Sequence, residues 1–274
     1  MLGSIKELPD NKIIKIIEKN LFEQIRFYGR SRRTSLTDNE NIIKFLSHIP
    51  LPFFNCVIFY NFDPGDLEKQ IKDLIKFGRS KKTSLLWLIG PSSRPHNIGA
   101  VLEENSFKYD DHMMSMAIEI RDIKNNLKHI DGFEIEIVDN RKKLEKWVHT
   151  CLKGFNENGK NFSSIYRFER SLGYCKTQPW VRFTGIVNGE AVATSAIFMG
   201  SEAAGLDNIT TVPDWRKKGV AASMVAYALK FSQTLGYNIG VLQASDMGYH
   251  LYCKLGFKKY YEFKEYIWKY DNNA

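Results

Sequence analysis

Residues 180–200, WVRFTGIVNGEAVATSAIFMG, constrain the fold more than any other stretch. Two strand-like runs flank Asn188-Gly189, the residue pair that most favours a two-residue type I′ turn, because both central positions need a positive φ. An antiparallel hairpin is therefore expected here. On its amino-terminal side FEIEIVD (133–139) reads as a strand. A helix from Asp139 follows, with Leu144, Trp147, Val148, Cys151 and Leu152 along one stripe. A polar stretch, FNENGKNFSS, and a short helix then lead to the hairpin. On the other side AGLDNITTV (204–212) is a strand. The segment 215–237, WRKKGVAASMVAYALKFSQTLGY, is a helix with Val220, Met224, Tyr227, Ala228, Phe231 and Leu235 at helical spacing and Gly236 as its stop. The strand IGVLQAS (239–245), a short helix and the strand KEYIWKY (264–270) close the chain.

The amino-terminal half also reads as mixed α/β. It opens with the amphipathic helix NKIIKIIEKNLFEQI and the strand CVIFYNF. The helix DLEKQIKDLIKF, capped by Asp66, leads to the buried strand SLLWLIG. After PSSRP come a short helix near IGAVLEEN and the strand MMSMAIEI. The charged segment 121–132, RDIKNNLKHIDG, separates the halves, which predicts domains at 1–130 and 131–274. The two halves end alike: AVLEENSFKYDDHMMSMAIEI and HLYCKLGFKKYYEFKEYIWKY each read as a short helix, Ser or Gly before Phe, and a closing strand. Decayed internal duplication and chance similarity both account for this echo, since no fixed-period repeat accompanies it.

Composition narrows the class. With 43% hydrophobic and 26% charged residues the chain is of ordinary globular type. No apolar run approaches the roughly 20 residues that span a bilayer. The opening MLGSIKELPDNK has no apolar signal core, and Cys56, Cys151, Cys175 and Cys253 lack metal-ligand spacing. A cytoplasmic protein with reduced thiols, no metal and no membrane association is expected. The net charge of +8 is spread along the chain apart from short clusters such as RSRR (30–33), and no nucleic-acid motif accompanies it.

One cluster needs a reason. Arg216, Lys217 and Lys218 gather where a helix begins, although the unsatisfied N–H groups and dipole of a helix start repel cations. An anion near these residues removes the conflict. TVPDWRKKGVAAS, read as RxxGxG/A over Arg216, Lys217, Lys218, Gly219, Val220 and Ala221, resembles the acyl-CoA signature of the GNAT superfamily of N-acetyltransferases. VLQASDMGYHLYCKLGF (241–257) is similar to that family's second cofactor segment, and the resemblance covers about 132–270. It implies an α/β (α+β) fold: a GNAT-type mixed, mostly antiparallel sheet flanked by helices, preceded by a smaller α/β domain. It also implies acetyl-CoA as co-substrate and an amine acceptor, small molecule or protein, attacking the thioester directly. The turn and Ala222 would cradle the pyrophosphate through backbone N–H groups. Ile209, Thr210 and Thr211 fall where relatives bind pantetheine and polarise the thioester carbonyl. Ser245 and Tyr249 would touch the cofactor, and Tyr252 would protonate the departing thiolate.

The base departs from the family pattern. The position of the relatives' glutamate is Gly205 here, and Asp207, on the same side by strand period, is the candidate base. Glu157 and Glu169 are weaker ones, and His149 reads as structural. In the amino-terminal half Asp63 and Asp66 stand where the cations would be, and Leu102 aligns with Tyr252 when Phe107 is set on Phe257. A degenerate, non-catalytic GNAT-like domain is expected there. A regulator that only holds acyl-CoA and an RNA-directed acetyltransferase remain as alternative functions.

Overall fold

The structure, a computed structural model, describes residues 4–61, 63–124, 127–157 and 159–271. Phe62 of the expected strand CVIFYNF, Asn125 and Asn126 of the separating segment, and Asn158 of the polar stretch lie outside these. The chain forms two compact units that are interleaved in sequence: Met1–Gln24 with Met114–Tyr260, and Ile25–Met113 with Tyr261–Ala274. The division therefore does not fall at 130/131. Within the first unit Ile123 of the expected separating segment belongs to the hydrophobic core, and Leu127 and Ile130 of the same segment pack against that core. A charged segment reads as a linker by composition, yet three apolar side chains suffice to anchor it.

In the first unit, helix α1 (Asp10–Tyr28) contributes residues up to Gln24. Strand β5 (Lys108–Glu119) contributes residues from Met114. The sheet continues through β6 (Phe133–Ile137), β7 (Trp180–Val187), β8 (Glu190–Met199), β9 (Ala204–Thr211) and β10 (Ile239–Ala244), in the spatial order β5-β10-β9-β8-β7-β6. Every pairing is antiparallel except β9 with β10. The hairpin of β7 and β8 turns at Asn188 (φ 50°) and Gly189 (φ 84°), as its sequence requires. Helices α4 (Arg141–Gly154) and α6 (Val220–Thr234) both pack on β8 and β9. The stripe Leu144, Trp147, Val148, Cys151 and Leu152 is buried as expected, and Asn140 rather than Asp139 caps α4 by accepting from the Lys143 N–H.

Helix α6 differs from its expected stripe. Its buried side is Val220, Met224, Val225, Ala228, Leu229 and Ser232, while Tyr227 and Leu235 are exposed. Tyr227 meets the edge of Phe183 with ring centres 5.4 Å apart, and half-buried Phe231 does the same at 5.3 Å. Aromatics at the rim of a helix face keep the apolar period without sitting at its centre. Two further helices complete the unit, α5 (Phe162–Ser171) and α7 (Asp246–Leu255).

The second unit orders β1 (Thr34–Asp38), β2 (Ile42–Ser47), β3 (Cys56–Tyr60), β4 (Leu85–Ile89) and the later part of β11 (Lys258–Trp268) into one sheet. β1 and β2 were not expected from the sequence: TSLTD has one large apolar residue, Leu36, and IIKFLS is a short run without a regular two-residue period. Here too one pair is parallel, β3 with β4 across helix α2 (Pro64–Lys81), and the rest are antiparallel. Asp63 occupies the cap position of α2, while Asp66 lies in its first turn. Helix α3 (Ile98–Glu104) precedes β5. Both halves of the sequence thus run strand, helix, parallel strand, short helix, strand. Their closing strands are exchanged between the units: 114–119 of β5 pair with β10, and 264–268 of β11 pair with β4.

Candidate active site

The parallel pair β9 and β10 is joined only from Gly240/Ala204 to Leu242/Leu206. Beyond Leu206 strand β9 runs on to Thr211 with β8 alone beside it. Val212 N–H donates to the Val192 carbonyl at 2.9 Å. Antiparallel alternation then turns the backbone groups of Thr210 towards β8 and those of Thr211 and Ile209 towards the open side. A bulge interrupts β8/β9 between Thr194 and Ala196, and Asn208 within it adopts φ 49°. Asn tolerates this left-handed conformation better than most residues. The register is regular from Gly205 to Asp207, so Asp207 keeps the side expected of it, that of Gly205, and the bulge begins only after it.

At the end of β9 the chain makes a tight turn into α6. Lys217 (φ 62°) and Gly219 (φ 94°) are both left-handed, and Gly219 is the cap residue. Ser223 N–H is bonded to the Gly219 carbonyl. Among the described residues, the N–H groups of Lys217, Lys218, Gly219, Val220, Ala221 and Ala222 have no protein acceptor. Lys217 and Lys218 are exposed, and the Lys218 ammonium lies 4.6 Å from the centre of the Trp215 ring. Val220 turns its side chain into the core, so only its N–H faces the turn's outside. The geometry fits an anion cradle: free donors, small residues at 219, 221 and 222, and two cations.

Arg216 is used otherwise. Its guanidinium donates to the carbonyls of Thr211 (3.1 Å) and Gly154 (2.8 Å) and reaches Asn156 Oδ1 at 3.4 Å. It ties the end of α4 to the end of β9 and so shapes the turn. Gly154 itself admits the Thr210 side chain, whose Oγ1 stands 2.0 Å from where a Cβ would be. That contact, with a 3.2 Å bond to Thr194, commits the Thr210 hydroxyl to packing.

Ser245 caps α7 just after β10 ends, and Tyr249 is half-buried against the core. Tyr252 is 7% exposed; its ring lies against Gly248, where a Cβ would be 2.8 Å from Cε2, and meets Phe257 edge-on. Burial first, and the Asp207 charge second, push its phenol well above the ordinary tyrosine value. The Asp207 charge is thus felt at Tyr252, the other residue singled out for proton transfer. Asp207 accepts from its neighbour's Asn208 N–H (2.6 Å) and from the Gln24 amide of α1.

Residues 144–257 match the Acetyltransferase (GNAT) family. This segment is a GNAT domain. No curated protein sequence matches the chain. Solved structures share the fold across more than that domain. A GCN5-related N-acetyltransferase from Kribbella flavida is similar over 92% of this chain and 94% of its own, with TM-score 0.68 and 16% identity. A functionally unknown conserved protein from Staphylococcus epidermidis ATCC 12228 covers 86% and 93%, with TM-score 0.63 and 16% identity. A tandem GNAT protein from the clavulanic acid biosynthesis pathway covers 89% and 86%, with TM-score 0.57 and 8% identity.

Other charged groups of the unit are structural or remote. Glu169 is buried against Arg182 (2.6 Å) with Trp180 Nε1 donating to the same oxygen, and breaking such a buried pair costs about 3–5 kcal/mol. Glu157 is exposed, and His149 stacks on Phe162 with centres 3.8 Å apart. A cleft of about 620 Å³ lined by Arg170, Tyr174, Cys175 and Lys176 contains none of the candidate residues. Among the described residues no cluster of His, Cys, Asp and Glu could hold a metal ion, and no helix is long and apolar enough to cross a membrane.

Sequence reasoning missed Gln24, Asn20 and Lys128. Lys128 lies along the GNAT turn, its Cβ 3.2 Å from where a Gly219 side chain would begin. Gln24 reaches Asp207 across 183 residues, and Asn20 Oδ1 fills the space beside Gly205 at 2.0 Å from the Cβ position. No local pattern announces such contacts; only the position of Asn20 and Gln24 four apart, on the same side of one helix, hints at a shared face.

Proposed function

We propose that the chain is an acetyl-CoA-dependent N-acetyltransferase, cytoplasmic, acting on an amine of a small molecule or a protein. The observation that carries the reading is the run of six unaccepted N–H groups from Lys217 to Ala222, beside exposed lysines and next to the mouth of the parted strands. Acetyl-CoA, when bound, supplies an acetyl group already activated as a thioester. The turn would hold its pyrophosphate through backbone donors, with Lys217, Lys218 and Lys128 adding charge. The open edge of β9 would pair with an extended pantetheine as an added strand does. Ile209 and Thr211 carry the donors for that edge and for the thioester oxygen. Asp207 would take a proton from the acceptor ammonium, and Tyr252 would give one to the departing thiolate. A phenol held neutral by burial keeps that proton throughout the neutral range.

Calorimetric titration of the whole chain with acetyl-CoA tests the reading. One equivalent is expected, because the start of α2 carries Asp63 and Asp66 in place of cations, and aspartates there suit the helix dipole without a ligand. A thiol-release screen across amines, antibiotics, amino acids and peptides then finds the acceptor. No binding sinks the assignment, two equivalents sink the single site, and binding without transfer to any amine supports the regulator instead.

A further inference from the structure

We propose that Gln24, on the first helix of the chain, is the positioning residue for the base Asp207, so that α1 is part of the catalytic apparatus. The inference rests on the transferase reading above. Residues 10–24 of α1 are docked along the β8–β9 connection and β9 by a ladder of specific bonds. Lys19 pairs with Glu202. Asn20 Nδ2 donates to the Ala203 carbonyl at 2.7 Å. Glu23 accepts from both the N–H and the hydroxyl of Ser201, at 2.8 and 2.6 Å. Gln24 Nε2 donates to Asp207 Oδ2.

The glycine at 205 makes the approach possible. Asn20 Oδ1 occupies the volume that any side chain at 205 would need. Asn20 and Gln24 are each 4% exposed, one helical turn apart, so neither amide has solvent as a ready substitute. Burying amides of this kind is costly without partners, and they are placed where β9 supplies them.

The chemistry of the pair is directional. A carboxylate only accepts, so the amide of Gln24 must present its NH₂. Asp207 then has Oδ1 on the Asn208 N–H and Oδ2 on Gln24, which fixes the plane of the carboxylate. Both donors favour the ionised form, the form a base needs. Asp207 is felt by Tyr252 on α7 and Cys151 on α4. Opposite it on β8 stands Ala196, and on α1 the Glu23 carboxylate is committed to Ser201.

The test compares the full-length protein with Gln24→Leu, Gln24→Glu and Asn20→Ala. Titration of the Asp207 carboxyl carbon by ¹³C NMR, assigned with Asp207→Asn, needs no acceptor. Losing one donor should raise the Asp207 midpoint by about one pH unit in Gln24→Leu, and by more in Gln24→Glu, where a like charge faces it. Asn20→Ala should lower the melting temperature and leave that midpoint in place, because it loosens the helix without touching the carboxylate. Thiol release from acetyl-CoA with butylamine should show kcat lower on the order of tenfold in Gln24→Leu, its acid limb moved upward, and acetyl-CoA affinity within twofold. An unmoved Asp207 midpoint in both Gln24 variants, or an equal shift in Asn20→Ala, overturns the proposal. A parent that binds no acetyl-CoA instead overturns the transferase reading, so the two failures are distinguishable.

Discussion

Helices α3 and α7 end in the same backbone geometry. Phe107 N–H bonds the Leu102 carbonyl and Phe257 N–H the Tyr252 carbonyl, both at 3.0 Å. A left-handed residue precedes each Phe, Ser106 at φ 68° and Gly256 at φ 107°. Leu102 and Tyr252 are both buried, and both closing phenylalanines are core residues. One side chain ends in a methyl group and the other in a hydroxyl. The helix starts diverge in the same way: α2 opens on Asp63-Pro64-Gly65-Asp66, whereas α6 opens on Lys217-Lys218-Gly219 with its donors free. The comparison teaches that this backbone is a packing solution first. In the proposed function it becomes a site only where the terminal hydroxyl and the free donors are present together.

The largest expected effect is at the paired helix ends. Tyr252→Phe keeps the ring and removes the proton, so turnover should fall on the order of 10²-fold with acetyl-CoA affinity within a few-fold. Leu102→Ala should do the opposite: destabilise by about 2–5 kcal/mol, measured by denaturant unfolding, with turnover per folded molecule unchanged. The pH profile sharpens the contrast. Burial and Asp207 raise the Tyr252 pKa, so the acid form persists past the ordinary tyrosine value near 10. The parent should therefore show no alkaline limb from this residue through about pH 9. A Tyr252→Phe protein that turns over like the parent would reduce both positions to packing.

Next come the helix starts. Lys217→Glu with Lys218→Glu, or Gly219→Val at its φ of 94°, should weaken acetyl-CoA binding tenfold or more, about 1.4 kcal/mol, by calorimetry. Asp66→Lys in α2 should create no second site, because charge alone does not supply the free left-handed turn. Unchanged affinity in the lysine and glycine variants would break the contrast between the two starts.

The smallest effect lies in the caps. Ser106 carries a side chain in a conformation that glycine adopts freely, so Ser106→Gly should stabilise by about 1 kcal/mol. Gly256→Ser should destabilise by a similar amount. Thermal unfolding of both variants checks the sign. Shifts in the same direction would mean that the two caps are not equivalent.

Much of this was legible in the sequence because it is local. Asn188-Gly189 fixes its own turn, the α4 stripe fixes its buried face, and Gly236 and Gly256 adopt the positive φ that ends a helix. The strand–turn–helix around Arg216-Lys217-Lys218-Gly219 also lies within one short stretch, so its spacing survives as a pattern. Arg216 shows the limit of such patterns. Its place in the motif was readable, but its bonds to Gly154 and Thr211 depend on where α4 ends. Likewise the bulge at Asn208 comes from pairing with β8, which no window along β9 contains.

By itself, then, the sequence determined the alternation of strands and helices, the hairpin, the basic turn and the position of Tyr252, because each follows from neighbours a few residues apart. Tertiary structure alone decided which strands pair with which, so that 114–119 belong with β10 and 264–268 with β4. It also decided that Asn20 would fill the space at Gly205 and that Gln24 would hold Asp207. The physical reason is that these contacts join segments more than a hundred residues apart. Burial of apolar faces selects them collectively, and a buried polar side chain then takes whatever partner the packing brings within reach.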